Sequence, residues 1–405
     1  MSKSKIISWA FYDLANTIFA TNIISLYFPL WVTVQKNAPD RFYILPYYMS
    51  MVLAAFVLPF FGILSDSLKK HSLFLVIFTS ACVFLTALIG VLNNLFAGIV
   101  LFCFANLFNQ AAGNVFYPAL LPKICPENKI PRVSALGVGL GYIGTIVGLF
   151  IVSLFLKESD YSAIFLPTAA MFFLFALPCF LFVRDEPPAQ EASSFNSVAR
   201  QEIKKLFSSL REVRENKPAL MFFGSIMLAI NGINGVLLNM GVYGKKVMGF
   251  LDSELPIFIA ISTIFAFSSS FVFGYITEKI RPKRTLSLVL VGWVLVLTIV
   301  SLVHTKFLYW ILGPIIGILL AGTWVSSRPL IIGLAPEQRA GEFFGFTGLA
   351  SIAGALLSPP IWLLVITILE PLGLVKYRIA ILSLAFMIAC GFFTLQRVPE
   401  RKLMG

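Results

Sequence analysis

The eight residues GILSDSLK at 62–69, within GILSDSLKK at 62–70, return 212 positions later as GYITEKIR at 274–281, so that Gly62, Asp66 and Lys69 align with Gly274, Glu278 and Arg281. Each copy closes one apolar stretch and precedes the next. Tyr117-Pro118 pairs in the same way with Arg328-Pro329 at an offset of 211, and Pro126-Glu127-Asn128 with Pro336-Glu337-Gln338 after a one-residue slip. A chain of 405 residues that repeats itself at about half its length is two copies of one structural half.

The composition says what those halves are. Hydrophobic types make up 58% and charged types only 12%, against roughly 25% charged in a water-soluble domain. Phe occurs 40 times and the mean hydropathy is +0.89. Apolar stretches long enough to cross a bilayer, about 20 residues each, fall near 6–34, 43–64, 72–92, 95–121, 133–156, 163–183, 218–241, 255–277, 285–304, 307–335, 343–369 and 376–396. The sequence therefore predicts an all-α polytopic membrane protein with twelve transmembrane helices in two six-helix bundles, 1–183 and 218–405, joined through 184–217. The first stretch is too long for a signal-peptide core and is expected to stay in place as a helix.

The net charge of +12 points to membrane topology and away from a nucleic-acid partner, because the basic residues sit in short runs between apolar stretches. With the N-terminus inside, alternate loops place 22 Lys and Arg on the cytoplasmic side and 8 outside, so both termini are expected in the cytoplasm, as in a bacterial inner or cell membrane. The polar break opens with Arg184-Asp185-Glu186-Pro187-Pro188, which stops a helix. Phe195, Val198, Ile203, Leu206, Phe207, Leu210 and Val213 then recur near helical spacing, predicting an amphipathic connector on the inner surface.

Chemistry-bearing motifs are scarce. Five cysteines without a CxxC or a Cys/His cluster encode neither a disulfide framework nor a zinc site. There is no GxxxxGK[ST] nucleotide loop. His71 and His304 have no Ser, Cys or carboxylate pair beside them that would make a catalytic constellation. An enzyme is not expected, nor a cofactor or metal. A transporter on this plan would work passively or on an ion gradient.

Two six-helix halves in parallel repeat resemble the major facilitator transporters, and the segment at 62–70 resembles that superfamily's loop between spans two and three. SWAFYDLAN (8–16) with Phe28-Pro29, YPALLP (117–122), RVSALGVGLGYIG (132–144), GTWVSSRP (322–329) and GEFFGFTGLASIAG (341–354) together resemble the Unknown Major Facilitator family, which includes fungal vacuolar amino-acid effluxers. The resemblance implies a solute site between the halves near the membrane midplane, lined by spans one, four, seven and ten. It also implies gating contacts in the two copies of the loop: Gly62 and Gly274 for close helix approach, and Asp66 and Glu278 with the bases Lys69 and Arg281; a structural pairing of Arg328 with Glu342 near the inner gate is the alternative to a solute role for Arg328.

The polar residues inside the spans are the candidate binding groups, because an ionised side chain at the centre of a membrane helix costs about 2.5–3.5 kcal/mol on insertion scales and so faces protein or a wet cavity. Asp13 of span one suits a proton or an amine, and Arg328 of span ten a carboxylate, through its planar fork of donors. Asn16, Asn109, Asn114, Asn231 and Asn234 donate and accept at once, which suits a zwitterion. Helix-to-helix adhesion is the competing use for every one of these amides. The glycines at 137, 141, 144 and 148 lie on or near one face of span five and predict tight helix packing. These residues together predict a monomeric secondary transporter of a small polar solute, an amino acid or a related zwitterion or anion, with protons as coupling ion and membrane lipids around it. A lipid or amphiphile translocator and a non-transporting membrane scaffold are the rival expectations.

Overall fold

A computed structural model describes residues 3–68, 70–125, 130–156, 160–185, 217–334 and 356–398 of the chain. They form helices throughout: α1 (Lys3–Gln35), α2 (Arg41–Leu68), α3 (His71–Leu92), α4 (Leu95–Ala119), α5 (Ile130–Ser153), α6 (Tyr161–Phe182), α7 (Lys217–Lys246), α8 (Glu254–Ile280), α9 (Pro282–Leu302), α10 (Lys306–Leu334), α11 (Ser358–Ile368) and α12 (Val375–Gln396). Among the described residues eleven helices are long and apolar enough to cross a membrane. The span expected at 343–369 is described only in its second half, the shorter apolar α11. The amphipathic connector lies outside the described residues.

The chain divides into two compact units, Met1–Lys205 and Leu206–Gly405. Within the first, α1 packs on α5 and α6, α2 on α4, and α3 on α4 and α6. Within the second, α7 packs on α11 and α12, α8 on α10, and α9 on α10 and α12. Every one of these pairs maps onto its counterpart by adding six. The repeat seen as motif spacing is thus a repeat of packing.

The connections follow from local chemistry. Asn93 and Asn94 are the whole link between α3 and α4. Asn93 takes the left-handed conformation (φ 45, ψ 30) that closes a helix, and the Asn94 side chain accepts from the Ala97 amide at 3.1 Å to open the next one. Arg281 alone joins α8 to α9 before Pro282, at φ 77 and ψ 148, a strained setting for a residue with a side chain.

Two helices change their winding at prolines. In α1 the turns Ala20–Tyr27 and Trp31–Gln35 are π-wound and flank Pro29. In α4 the π turn Ala112–Phe116 precedes Pro118. A proline has no amide to donate, and its ring crowds the carbonyl four residues back. The wider i−5 bonds, Phe28 to Ile23 and Tyr117 to Ala112, shift the backbone around each ring and re-aim the side chains that follow.

Lipid-exposed faces carry the surplus phenylalanines, such as Phe56, Phe150, Phe271 and Phe386. Lipid tails are as apolar as these side chains, so helices must gain from close packing instead. The glycine face of α5 provides it against α1. A Cβ on Gly141 would lie 2.9 Å from Thr17 Oγ1, one on Gly148 would lie 3.0 Å from Ile18, and one on Gly144 would collide with the Leu14 carbonyl. Gly139, on the same helix, faces open space. Gly144→Ala should therefore lower the melting temperature of the purified protein, a loss of about 1–3 kcal/mol from overpacking, whereas Gly139→Ala should leave it unchanged.

Candidate functional site

Asp13 stands ten residues into α1, about 15 Å along it, and is half-buried. Its setting is built by three helices of the first unit. The rings of Trp9 and Tyr117 stack at 4.3 Å and 10°, and the Trp9 indole donates to the Tyr117 carbonyl at 3.1 Å, tying α1 to the π-wound end of α4. Tyr12 stacks on the other side of Tyr117 at 4.8 Å, and its hydroxyl shares a 2.8 Å hydrogen bond with Thr79 of α3. From α5, Gly137 closes the group: a Cβ there would lie 2.9 Å from Asp13 Oδ2, 3.1 Å from the Trp9 ring and 3.2 Å from the Tyr117 hydroxyl. Tyr117 is only 6% exposed, yet its hydroxyl has no hydrogen-bond partner among the described residues.

Asn16, one turn above Asp13 and on the same face of α1, is half-buried and lies against Gly113 of α4; its Oδ1 is likewise without a partner among the described residues. The amides of α4 do not share one surface. Asn106 is buried and donates to Ser50 of α2 at 2.7 Å, Asn109 is buried with a partnerless Oδ1, and Asn114 is exposed and donates to Gln110 at 2.6 Å.

In the second unit Asn231 is buried and acts as helix adhesive. It donates to the Met227 carbonyl at 2.8 Å and accepts from the Ser358 amide at 3.2 Å, anchoring the start of α11. Asn234 is half-buried on the same helix. Arg328 belongs to α10, but its side chain lies outside the described residues, as do those of Asp66, Lys69, Glu278 and Glu342. Arg281 is described through its strained backbone. A Cβ on Gly62 would make an ordinary 3.6 Å contact with Val115, and one on Gly274 would meet nothing within 4 Å, so among the described residues neither glycine is a point of close approach.

One polar knot carries no sequence motif. Asp185, just past α6, accepts from the Ser72 amide and hydroxyl at 2.7 Å each and so caps the first turn of α3. Its other oxygen takes Lys123 at 2.8 Å, and Lys123 reaches His71 Nδ1 at 2.7 Å. Burial pushes the Asp185 carboxyl up, but the bonds from Lys123 and Ser72 outweigh it and hold the group below the usual carboxylate range. Asp160 fastens the opposite end of the unit: Ser162 above all, then Gln35 of α1, lower its carboxyl in the same direction. The Asp160–Ser162 contact is a local helix cap two positions apart, whereas Ser72 and Gln35 lie 113 and 125 positions from the carboxylates they bind.

Two helical units that repeat one packing plan in membrane-length helices define a multi-pass membrane protein. Residues 14–359 match the sequence pattern of the Major Facilitator Superfamily, and the chain belongs to it. Among its relatives, an uncharacterized MFS-type transporter, YxiO, of Bacillus subtilis (strain 168) is 24% identical over 97% of this chain and 94% of its own. An uncharacterized protein of Aquifex aeolicus (strain VF5) is 25% identical over 96% and 95%. The fold is shared with the nucleoside transporter NupG, at TM-score 0.72 and 15% identity over 99% of this chain and 100% of that one. It is shared also with an inward-facing, unoccupied bacterial homolog of the human lysosomal transporter Spinster, at TM-score 0.67 and 12% identity over 98% of both chains.

The Asp185 knot gives a pH prediction. A carboxyl lowered by folding contributes fully above its unfolded value, about 4, and loses that contribution as pH falls through the lower folded value. The melting temperature should decline on acidification below about pH 4, and Asp185→Asn should melt lower at neutral pH with a smaller acid decline.

Proposed function

We propose that this protein is a secondary transporter of a small zwitterion, an amino acid or close relative, energised by a proton gradient. Its two units rock about a central site, both chain ends lie in the cytoplasm, and the membrane is a bacterial inner membrane. The observation that carries this reading is Asp13, a half-buried carboxylate ten residues into the membrane helix α1, beside the Tyr117 hydroxyl and the Asn16 carbonyl, both partnerless among the described residues.

An ionised carboxylate inside a membrane helix is expensive and so faces protein or a wet path. Taking up a proton or an amine relieves the cost, and each changes the energetics of the unit around it. Arg328 of α10 supplies the opposite charge for the solute's carboxylate, in which two parallel N–H donors grip two oxygens. The resemblance of residues 8–16, 117–122, 132–144, 322–329 and 341–354 to the Unknown Major Facilitator family supports an amino acid over other polar solutes. Asn231, engaged with Met227 and Ser358, serves as scaffold for the site; Asn109 and Asn234 remain as solute contacts.

The test is uptake of labelled amino acids into proteoliposomes under an imposed pH gradient. Asp13→Asn and Arg328→Lys should each lower the initial rate by at least about tenfold, the effect of losing one charged contact worth about 1.4 kcal/mol or more. Asp13→Asn should also remove the response to the gradient. Wild-type rates and pH response in both variants would defeat the assignment.

A further inference from the structure

The corner between α8 and α9 holds positive charge that the chain does not neutralise among the described residues. Lys279, Arg281, Lys283 and Arg284 all fall within 279–284, and the turn at Arg281 is the whole link between the two helices. Lys283 is used for packing. Its ammonium donates to the carbonyls of Gln396 and Val398 at 3.0 and 2.6 Å, which fastens the end of α12, with the exposed Arg397, to the same corner. Lys279, Arg284 and Arg397 are exposed and form no ion pair among the described residues.

The first unit has the same corner with a different charge. The offset of 212 that aligns the two loops sets Ser67 against Lys279 and Ser72 against Arg284. Ser72 is held by Asp185, which also takes Lys123, so there the chain supplies its own anion. The second unit puts bases where the first has serines, and Arg397-Val398 after α12 adds a third base and no carboxylate.

This charge sits at the end of an apolar stripe. On α8, Phe267, Phe271, Tyr275 and Lys279 follow at intervals of four and are all exposed. Phe267 and Phe271 meet edge to face at 5.4 Å, and the Lys279 ammonium lies over the Tyr275 ring at 5.9 Å. On α9 Arg284 comes first, and the exposed Leu288, Val291 and Leu295 follow. Both helices are thus apolar along their length and basic where they meet. From Phe267 to Lys279 is about 18 Å of helix, close to the hydrocarbon depth of one leaflet, about 15 Å. A free phosphate has no use for the stripe. A phospholipid matches both parts, with a chain along the rings and its phosphate among the bases, and unneutralised bases favour a headgroup of net negative charge.

We propose that the α8–α9 corner binds an anionic phospholipid, with Lys279 and Arg284 holding the headgroup phosphate and Phe267, Phe271 and Tyr275 carrying an acyl chain. The site needs no solute and stands apart from the transport reading.

The experiment is thermal stabilisation of the purified, delipidated full-length protein in detergent by dioctanoyl phosphatidylglycerol, dioctanoyl phosphatidylcholine and glycerol phosphate. Phosphatidylglycerol should stabilise the wild type at a concentration at least about tenfold below phosphatidylcholine. Glycerol phosphate, which has the anion without the chains, should not stabilise it at that concentration. Lys279→Gln/Arg284→Gln should abolish the preference. Lys3→Gln/Lys5→Gln removes as much charge from the exposed start of α1 and should keep it. Tyr275→Ala should weaken both lipids alike. Melting temperatures without lipid report folding; should the Lys279/Arg284 double variant not fold, each single variant should lose about threefold of the preference. Equal stabilisation by the two lipids, a preference that survives in Lys279→Gln/Arg284→Gln, or one lost as fully in Lys3→Gln/Lys5→Gln would overturn the proposal. Stabilisation by glycerol phosphate at the phosphatidylglycerol concentration would also overturn it, because it marks a free-anion site.

Discussion

A carboxylate in the middle of a membrane helix must be covered by protein or reached by water, and the first unit is arranged around that constraint. The backbone of α5 covers α1 closely enough to touch Asp13 because residues 137, 141, 144 and 148 have no side chains to hold it off. The same closeness limits what fits beside the carboxylate. Aromatic stacking of Trp9, Tyr12 and Tyr117 then joins α1 to α4, and the Tyr12–Thr79 bond extends the connection to α3. Local packing and the candidate chemistry are therefore one piece of structure.

The prolines are part of the same design. Pro29 and Pro118 each follow a π-wound turn in the two helices that carry the polar groups. A wide turn costs regular hydrogen bonding, and it occurs here in helices whose side chains need a particular aim. In the second unit, Asn231 spends its amide on Ser358 and Met227, holding α7 to α11.

Most of the architecture was legible in the sequence because its causes are local or periodic. Hydropathy gave the spans, the offset of 212 gave the repeat, and the glycine spacing of span five gave its packing face. The site was legible only in part. Asp13 stands out as a charge in an apolar run, but the partnerless Tyr117 hydroxyl depends on a π turn that no residue pattern announces. Asn231 looked like a solute contact because an amide in a span reads alike whether it holds a ligand or a neighbouring helix. Asp185 looked like a helix stop because its partners Ser72 and Lys123 are distant in the chain. The loop glycines Gly62 and Gly274 read as points of close approach, and among the described residues no neighbour comes that near; helix spacing at a given residue is a tertiary quantity that motif spacing does not encode.

Exposure of solute-contacting positions to one membrane face and then to the other is the central claim of the proposed transport. The most direct measurement is side-specific labelling of single cysteines at Asn109 and Asn234 in a protein otherwise free of cysteine, using a membrane-impermeant thiol reagent applied to either face of oriented vesicles. The account predicts that both positions react, from one face and then from the other as solute or pH shifts the units. Cysteines that stay unreactive from both sides under every condition, in a protein that is folded and inserted, would contradict it.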